Sequence, residues 1–229
     1  MSTTEIQALV NTKLDEVRLT LGHEISGNQD VCLTCSFQAE DVLLAKMAIE
    51  FNAKIPILFL DTGYHFPETV AYRDRIAADW DLNLINVLPE RTVAEQESEF
   101  GILYQSAPDR CCGMRKVEPL FRSLAPYDTW VTGLRREQSK TRANLQPEEA
   151  FTLPTGQVLA KLSPLAEWTA RDVWHYAEAH EIPLLPLYEK GYTSIGCAPC
   201  TSLPFDPNDP RSGRWSGHKL ECGIHIQSS

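Results

Sequence analysis

The sequence predicts an α/β fold, a single domain with a mostly parallel twisted sheet flanked by helices and an irregular C-terminal tail. Three observations carry this reading. Short apolar runs compatible with β structure alternate with helical segments from residue 31 onward, the rhythm of βαβ units. The run Ile55–Leu60 has no polar alternation, as expected of a strand covered on both faces of a parallel sheet. The length of 229 residues exceeds one domain of roughly 150 residues but falls short of two, which suits one compact body with an appendage.

The elements follow in order. Val31–Ser36 reads as the first strand, and Ala39–Phe51 as a helix whose Leu43, Met47 and Phe51 form one apolar stripe. Ile55–Leu60 is the second strand, ending in the polar Asp61-Thr62-Gly63. Pro67 opens a helix to about Trp80, and Leu82–Leu88 gives a third strand. Val117–Leu124 is a further helix and Thr129–Thr132 a further strand, followed by the cationic loop 135–142. Thr169-Ala170-Arg171-Asp172 is a capping box for a helix to His180. Beyond Ile182 periodicity fails. The division is therefore 1–182 for the α/β body and 183–229 for a Pro- and Gly-rich segment packed on it, held by something other than an ordinary core. An open parallel sheet binds ligands at the carboxyl ends of its strands, which places the loops after Ser36, Asp61 and Thr132 around one crevice.

Composition narrows the function. With 21 basic and 31 acidic side chains the net charge is −10, which repels a nucleic-acid backbone. No window approaches the ~18 apolar residues of a membrane span, and the N-terminal stretch has no signal-peptide pattern, so a cytoplasmic protein without membrane partners is expected. Neither G-x-G-x-x-G nor a Walker A sequence occurs, which disfavours ordinary dehydrogenases and P-loop ATPases. The loop Ser36–Asp41, between the first strand and its helix, can still offer backbone N–H groups and a helix dipole to an anion; the alternative is a plain helix start with surface acids.

Seven cysteines in a reducing compartment point to metal or thiol chemistry rather than disulfides. Cys32 and Cys35 lie three apart on a strand, so they face opposite sides and read as core residues. Cys111-Cys112 and Cys197-Ala198-Pro199-Cys200 make four thiolates, the number required by a zinc site or a 4Fe-4S cluster; coincident core cysteines are the third reading. Adjacent cysteines argue against a zinc ribbon. Cys222, near the end of the chain beside Lys219 and close to His225, reads as an exposed thiol disposed to ionise and act as a nucleophile, against the alternative of an inert tail thiol.

Together the segments 111–116 (CCGMRK), 132–139 (TGLRREQS), 191–201 (GYTSIGCAPCT), 213–215 (GRW) and 219–225 (KLECGIH) resemble the adenylylsulfate reductases of assimilatory sulfate reduction. The resemblance implies an adenine-nucleotide α-hydrolase-like fold, one 4Fe-4S cluster on Cys111, Cys112, Cys197 and Cys200, and reduction of adenosine 5′-phosphosulfate to sulfite and AMP with thioredoxin as electron donor. It implies Cys222 as the nucleophile that becomes S-sulfonated, with Lys116 as its catalytic cation. The loop from Ser36 to Asp41, the strand end Leu60, Asp61 and Thr62, and Gly133 are expected to hold the adenosine and its phosphate. Lys116, Arg142, Arg211 and Arg214 are expected on the phosphosulfate, with His225 of the tail in the substrate-binding set. Two departures stand out: Gln38 where some members carry Gly, and a short segment between Arg214 and Cys222. Arg136 and Lys140 read equally well as solvated loop charges.

Three rivals remain. A reductase of the 3′-phosphorylated substrate shares the fold and nucleophile but typically lacks the two cysteine pairs. An ATP pyrophosphatase of related fold would need a doubled-Gly phosphate loop, absent after Ser36. A zinc-stabilised nucleotide-binding module accounts for the cysteine pairs but not for the terminal thiol and the cations. Homo-oligomer formation is left open by the sequence.

Overall fold

The computed structural model describes residues 3–27, 30–217, 219 and 221–225. Its centre is a six-stranded sheet: β1 (Val31–Thr34), β2 (Ile57–Leu60), β3 (Leu84–Val87), β4 (Thr129–Val131), β5 (Glu148–Thr152) and β6 (Val158–Leu162) in the order β3-β2-β1-β4-β6-β5. Every pairing is parallel except β5 with β6. From β1 the chain winds outward to β2 and β3, then returns to place β4 on the other side of β1. The strand order reverses there, so a crevice opens at the carboxyl ends of β1 and β4.

Helices α2 (Ala39–Phe51), α3 (Pro67–Asp79) and α8 (Ala170–Ala179) lie where the sequence predicts them. Thr169 caps α8 by accepting from the Asp172 N–H, and the Asp172 carboxylate accepts the Thr169 N–H in return. The strands are each shorter than the apolar runs that announce them, because Cys35, Ser36, Ile55, Leu82 and Leu88 fall outside the paired ladder.

Several elements escape the sequence reading, the short helices between residues 93 and 112 and two larger features among them. The first is α1 (Thr3–Ile25), whose Val17, Leu21 and Ile25 are buried in the main core with α2. The spacing of Leu14, Val17, Leu21 and Ile25 carries that signal, diluted by charged residues on the remaining faces. The second is the β5–β6 hairpin. Glu148-Glu149-Ala150 has low β propensity, and only Phe151 of β5 is fully buried, so this edge strand lacks an apolar signature.

The expectation that the segment after Ile182 lacks an ordinary core is corrected. Leu185, Leu187 and Ile195 are buried in the same core as β1 and α2. Isolated apolar residues between turns suffice because the body supplies the other side of each contact. Cys32 and Cys35 are both buried, and they belong to opposite faces of the sheet: Cys32 packs with Trp130 and Phe151, Cys35 with Phe37 and Phe59.

The packing of α1 yields a stability prediction. Leu21 is fully buried against the main core, so Leu21→Ala should lower unfolding free energy by about 2–5 kcal/mol. Chemical denaturation with an unchanged m-value checks it; a loss below about 1 kcal/mol would show that α1 contributes little.

Candidate active site

A cavity of about 720 Å³ occupies the crevice, within the range that encloses a nucleotide-sized ligand. Its walls come from the loops after β1 and β4, the end of β2, and the segment 191–225. Of the residues expected from sequence, Ser36, Leu60, Gly133, Lys116, Arg142, Arg211, Arg214, Cys222 and His225 all line it. Asp61 and Thr62 do not. Asp61 turns away to meet Arg73 at 3.4 Å and to accept from the Gly63 N–H, and Thr62 is fully buried with its Oγ1 3.3 Å from the Cys197 sulfur.

The β1–α2 loop differs from the expected anion cradle. Asp41 Oδ2 accepts from Ser36 N at 2.7 Å and from Ser36 Oγ at 2.6 Å, while Ala39 N donates to the Tyr188 hydroxyl at 2.9 Å. Two of the loop amides that could serve an anion, those of Ser36 and Ala39, are thus engaged by the protein's own side chains. Phe37 sits in this loop with φ of 60° and is buried, a left-handed conformation that a bulky residue adopts only where packing imposes it. Gly133 is required here: a Cβ would lie 2.2 Å from Asp41 Oδ1. Gln38, the departure noted above, ties the loop to the other wall, with its Oε1 accepting from Ile195 N at 2.8 Å and its Nε2 donating to Ser36 Oγ at 3.2 Å.

Burial holds the Asp41 carboxyl up at about 6, against the two bonds from Ser36 that favour ionisation. The folded state therefore keeps a proton that the unfolded chain releases near its ordinary value, and Asp41 subtracts from stability as pH rises from about 4 to 6. Asp41→Asn should be more stable relative to the parent at pH 7 than at pH 4.5, which paired melting curves will show; a gap independent of pH would refute the buried-acid reading.

The cations come from three places. Lys116 lies in a single π-helical turn, Gly113–Val117, between α6 (Pro108–Cys112) and α7 (Glu118–Leu124). Such a turn inserts a residue into a helix and redirects the side chains that follow. Burial works against the Lys116 charge, but the Cys197 and Cys222 thiols outweigh it and raise its pKa. Arg214 stacks over Trp215 at 4.4 Å and fits only because residue 196 is Gly, where a Cβ would be 2.3 Å from the guanidinium. Neither Lys116 nor Arg214 meets a carboxylate among the described residues. Arg142 and Arg211 do, both at Glu221. In the 135–142 loop, Arg135 is buried on Glu40 and Glu137, and Arg136 is held by Leu145 O and Glu167. Lys140 is exposed.

Cys222 is half-buried rather than exposed. Its expected neighbours also turn elsewhere. Lys219 pairs with Asp109, and His225 stacks on Trp130 with ring centroids 5.5 Å apart, enclosed so that burial pulls its pKa well below 6.5. The cations that share the cavity with Cys222 and feel its charge are instead Lys116, Arg211 and Arg214.

Adjoining this cavity, Cys111, Cys112, Cys197 and Cys200 line a second, smaller one, and Lys116, Arg214 and Trp215 line both. The 197–200 loop is fixed to the body by an antiparallel bridge between His65 and Cys197 and by Ala198 N donating to Tyr64 O at 2.7 Å. Burial works to raise the Cys197 pKa, yet Lys116, Thr62 and Arg214 outweigh it and lower it; Cys200, without as much compensation, is pushed up to about 11. Gln96, on α4 (Val93–Phe100), is fully buried; its Oε1 accepts from Arg115 Nη1 at 3.1 Å, while its Nε2 has no regular partner and stands beside Cys111. A buried donor left in this way suits an anionic sulfur. Among the described residues, no three His, Cys, Asp or Glu side chains gather as ligands of one metal ion. The donor set at this second cavity is four thiols with three cations, Arg115, Lys116 and Arg214, and an unspent amide at its edge, which fits a thiolate-ligated cluster.

Residues 30–203 match the phosphoadenosine phosphosulfate reductase domain model. The chain belongs to that family. It is 47% identical over 192 residues to the adenosine 5′-phosphosulfate reductase of Mycolicibacterium smegmatis, covering 82% of this chain and 79% of the relative. It is 46% identical over 196 residues to the enzyme of that name from Streptomyces coelicolor, covering 85% and 81%. The fold is shared with the phosphoadenylyl-sulfate reductase of Candida auris, at a TM-score of 0.70 and 24% identity over 88% of this chain and 98% of that one.

His65, Gln96, Tyr188 and Glu221 are the site residues that sequence reasoning did not single out, and Asp41 was named only as the end of the loop from Ser36. Glu221 stood beside Cys222 within a quoted motif, so its place was readable. Gln96 was not, since nothing local marks a helix glutamine that meets a cysteine fifteen positions on.

Proposed function

We propose that the chain reduces adenosine 5′-phosphosulfate to sulfite and AMP in the cytoplasm, through an S-sulfonated Cys222 and with thioredoxin as electron donor. The observation that carries this is the meeting of one tail thiol, Cys222, with Lys116, Arg211 and Arg214 in a nucleotide-sized cavity. The relatives named adenosine 5′-phosphosulfate reductase, at 46% and 47% identity, favour the substrate without a 3′-phosphate.

The residues then take these roles. The Cys222 thiolate attacks the sulfate sulfur; a sulfur–sulfur bond forms and the bond from sulfur to the bridging oxygen breaks, its electron pair leaving on the AMP phosphate. Lys116 and Arg214, uncommitted to any described carboxylate, stabilise the charge that gathers on the bridging and phosphate oxygens. A thioredoxin thiolate next attacks the Cys222 sulfur, expelling sulfite, and its second thiol resolves the mixed disulfide; the two electrons come from that dithiol. Cys111, Cys112, Cys197 and Cys200 would hold one 4Fe-4S cluster. When bound, it supplies an anionic iron–sulfur centre next to Lys116. Lys116 faces both cavities, so it screens the incoming anionic substrate from those thiolates as well as binding it.

Cys222→Ser should retain nucleotide binding and form neither sulfite nor an adduct. Wild-type protein given substrate without thioredoxin should gain one sulfonate on the peptide containing Cys222 and release AMP in a single burst; label on Cys32 or Cys35 would overturn the assignment. Lys116→Ala should lose roughly 100-fold or more in kcat/KM, as removal of a transition-state donor does. Iron and sulfide analysis of anaerobically prepared protein must show the cluster intact in that variant, and unchanged kinetics would remove Lys116 from the mechanism.

A further inference from the structure

Arg142 and Arg211 line the cavity, yet an acid of the protein already occupies them. Glu221 Oε2 accepts from Arg142 Nη2 at 2.8 Å, and Oε1 accepts from Arg142 Nε at 3.0 Å and from Thr141 Oγ1 at 2.9 Å. Arg211 approaches the same carboxylate at 3.6 Å. This is the bidentate fork, the strongest geometry open to a carboxylate and a guanidinium. Burial would raise the Glu221 pKa, but the arginines outweigh it and hold the acid ionised. The next residue is Cys222.

We infer that Glu221 is the positioning residue of the nucleophile: its pairing with Arg142 and Arg211 docks the tail and sets Cys222 against Lys116 and Arg214. The inference rests on the proposed role of Cys222 and divides the four cations expected on the substrate into two pairs. Arg142 and Arg211 hold the tail; Lys116 and Arg214 are the pair left for the phosphosulfate. The backbone supports this division. Gly223 has φ of 97°, a conformation for which glycine is suited, and the turn it makes carries the chain from the cavity wall to the Trp130 face where His225 stacks. The sulfur is thus anchored on both sides, by an ion pair one residue before and a ring stack three residues after.

Two readouts test this in the full-length protein. Alkylation of Cys222 by iodoacetamide, followed by mass spectrometry without substrate, should be about tenfold faster in Glu221→Gln than in wild type. Burst sulfonation of Cys222 by adenosine 5′-phosphosulfate should be about tenfold slower, with AMP affinity changed less than threefold. The swap Arg142→Glu with Glu221→Arg should recover most of the protection from alkylation. Equal alkylation rates in wild type and Glu221→Gln would overturn the inference, as would faster sulfonation in the variant, which would make Glu221 a competitor of the substrate. If wild type is never sulfonated while protection still depends on Glu221, the docking stands and the functional reading fails.

Discussion

The organisation of the site follows from one electrostatic constraint: beside Arg135, which pairs with Glu40 and Glu137, four further cations line one crevice, and each must find an anion there. A guanidinium or ammonium withdrawn from water without a partner is severely penalised. Two of the four, Arg142 and Arg211, are satisfied within the protein by Glu221. The other two, Lys116 and Arg214, face thiols. A thiol is a conditional partner, neutral or ionised according to its surroundings, so each cation that leans on one also draws it toward the thiolate. The low Cys197 pKa and the high Lys116 pKa express the same interaction from its two ends.

The fold meets that constraint with backbone devices rather than with long side chains reaching inward. The reversal of strand order opens the crevice, the π turn after Cys112 brings Lys116 to the boundary between the two cavities, and the missing Cβ at Gly196 leaves room for the Arg214 guanidinium. Gly133 likewise allows Asp41 to close on Ser36. The consequence is a polarised chamber. Its β1–α2 wall presents the Asp41 carboxyl and engaged amides, which suits hydroxyl and base edges, whereas the wall shared with the cysteines presents Lys116 and Arg214 without carboxylate partners, which suits phosphate and sulfate.

How much of this was legible depends on the range of the signal. β1 to β4 announced themselves as short apolar runs, α2 by the spacing of its apolar stripe, and α3 and α8 by the residues that start them, Pro67 and the Thr169–Asp172 capping box. β5 did not, since Glu148, Ala150 and Thr152 face outward at an edge, and of the inward residues Glu149 is an acid paired with the buried Lys161, which leaves Phe151 as the one buried apolar residue. In the site, the residues that carry unusual chemistry were found by type and motif: Cys222, Lys116, Arg211 and Arg214. Their pairings were not. Lys219, three residues before the tail thiol, bonds Asp109, while Arg142, eighty residues away from Cys222, governs its neighbour Glu221. Sequence distance on an irregular tail says little about which charge faces which, because no periodic element fixes the direction of each side chain.

The kind of contact that holds the tail also matters for catalysis. The two chemical steps ask opposite things of Cys222, enclosure beside the bound nucleotide and then exposure to a protein dithiol. Docking through a large apolar surface would make opening slow, since most of that surface would have to be rewetted at once. Here Ile224 is only partly buried, and the named contacts are a ring stack and a fork of charge-assisted hydrogen bonds. Water can replace such bonds one at a time, and both ions of the Arg142–Glu221 pair, largely enclosed when the tail is docked, regain their hydration as it opens. An ionic latch on a short glycine-containing tail therefore gives the nucleophile a defined closed position without making that position permanent.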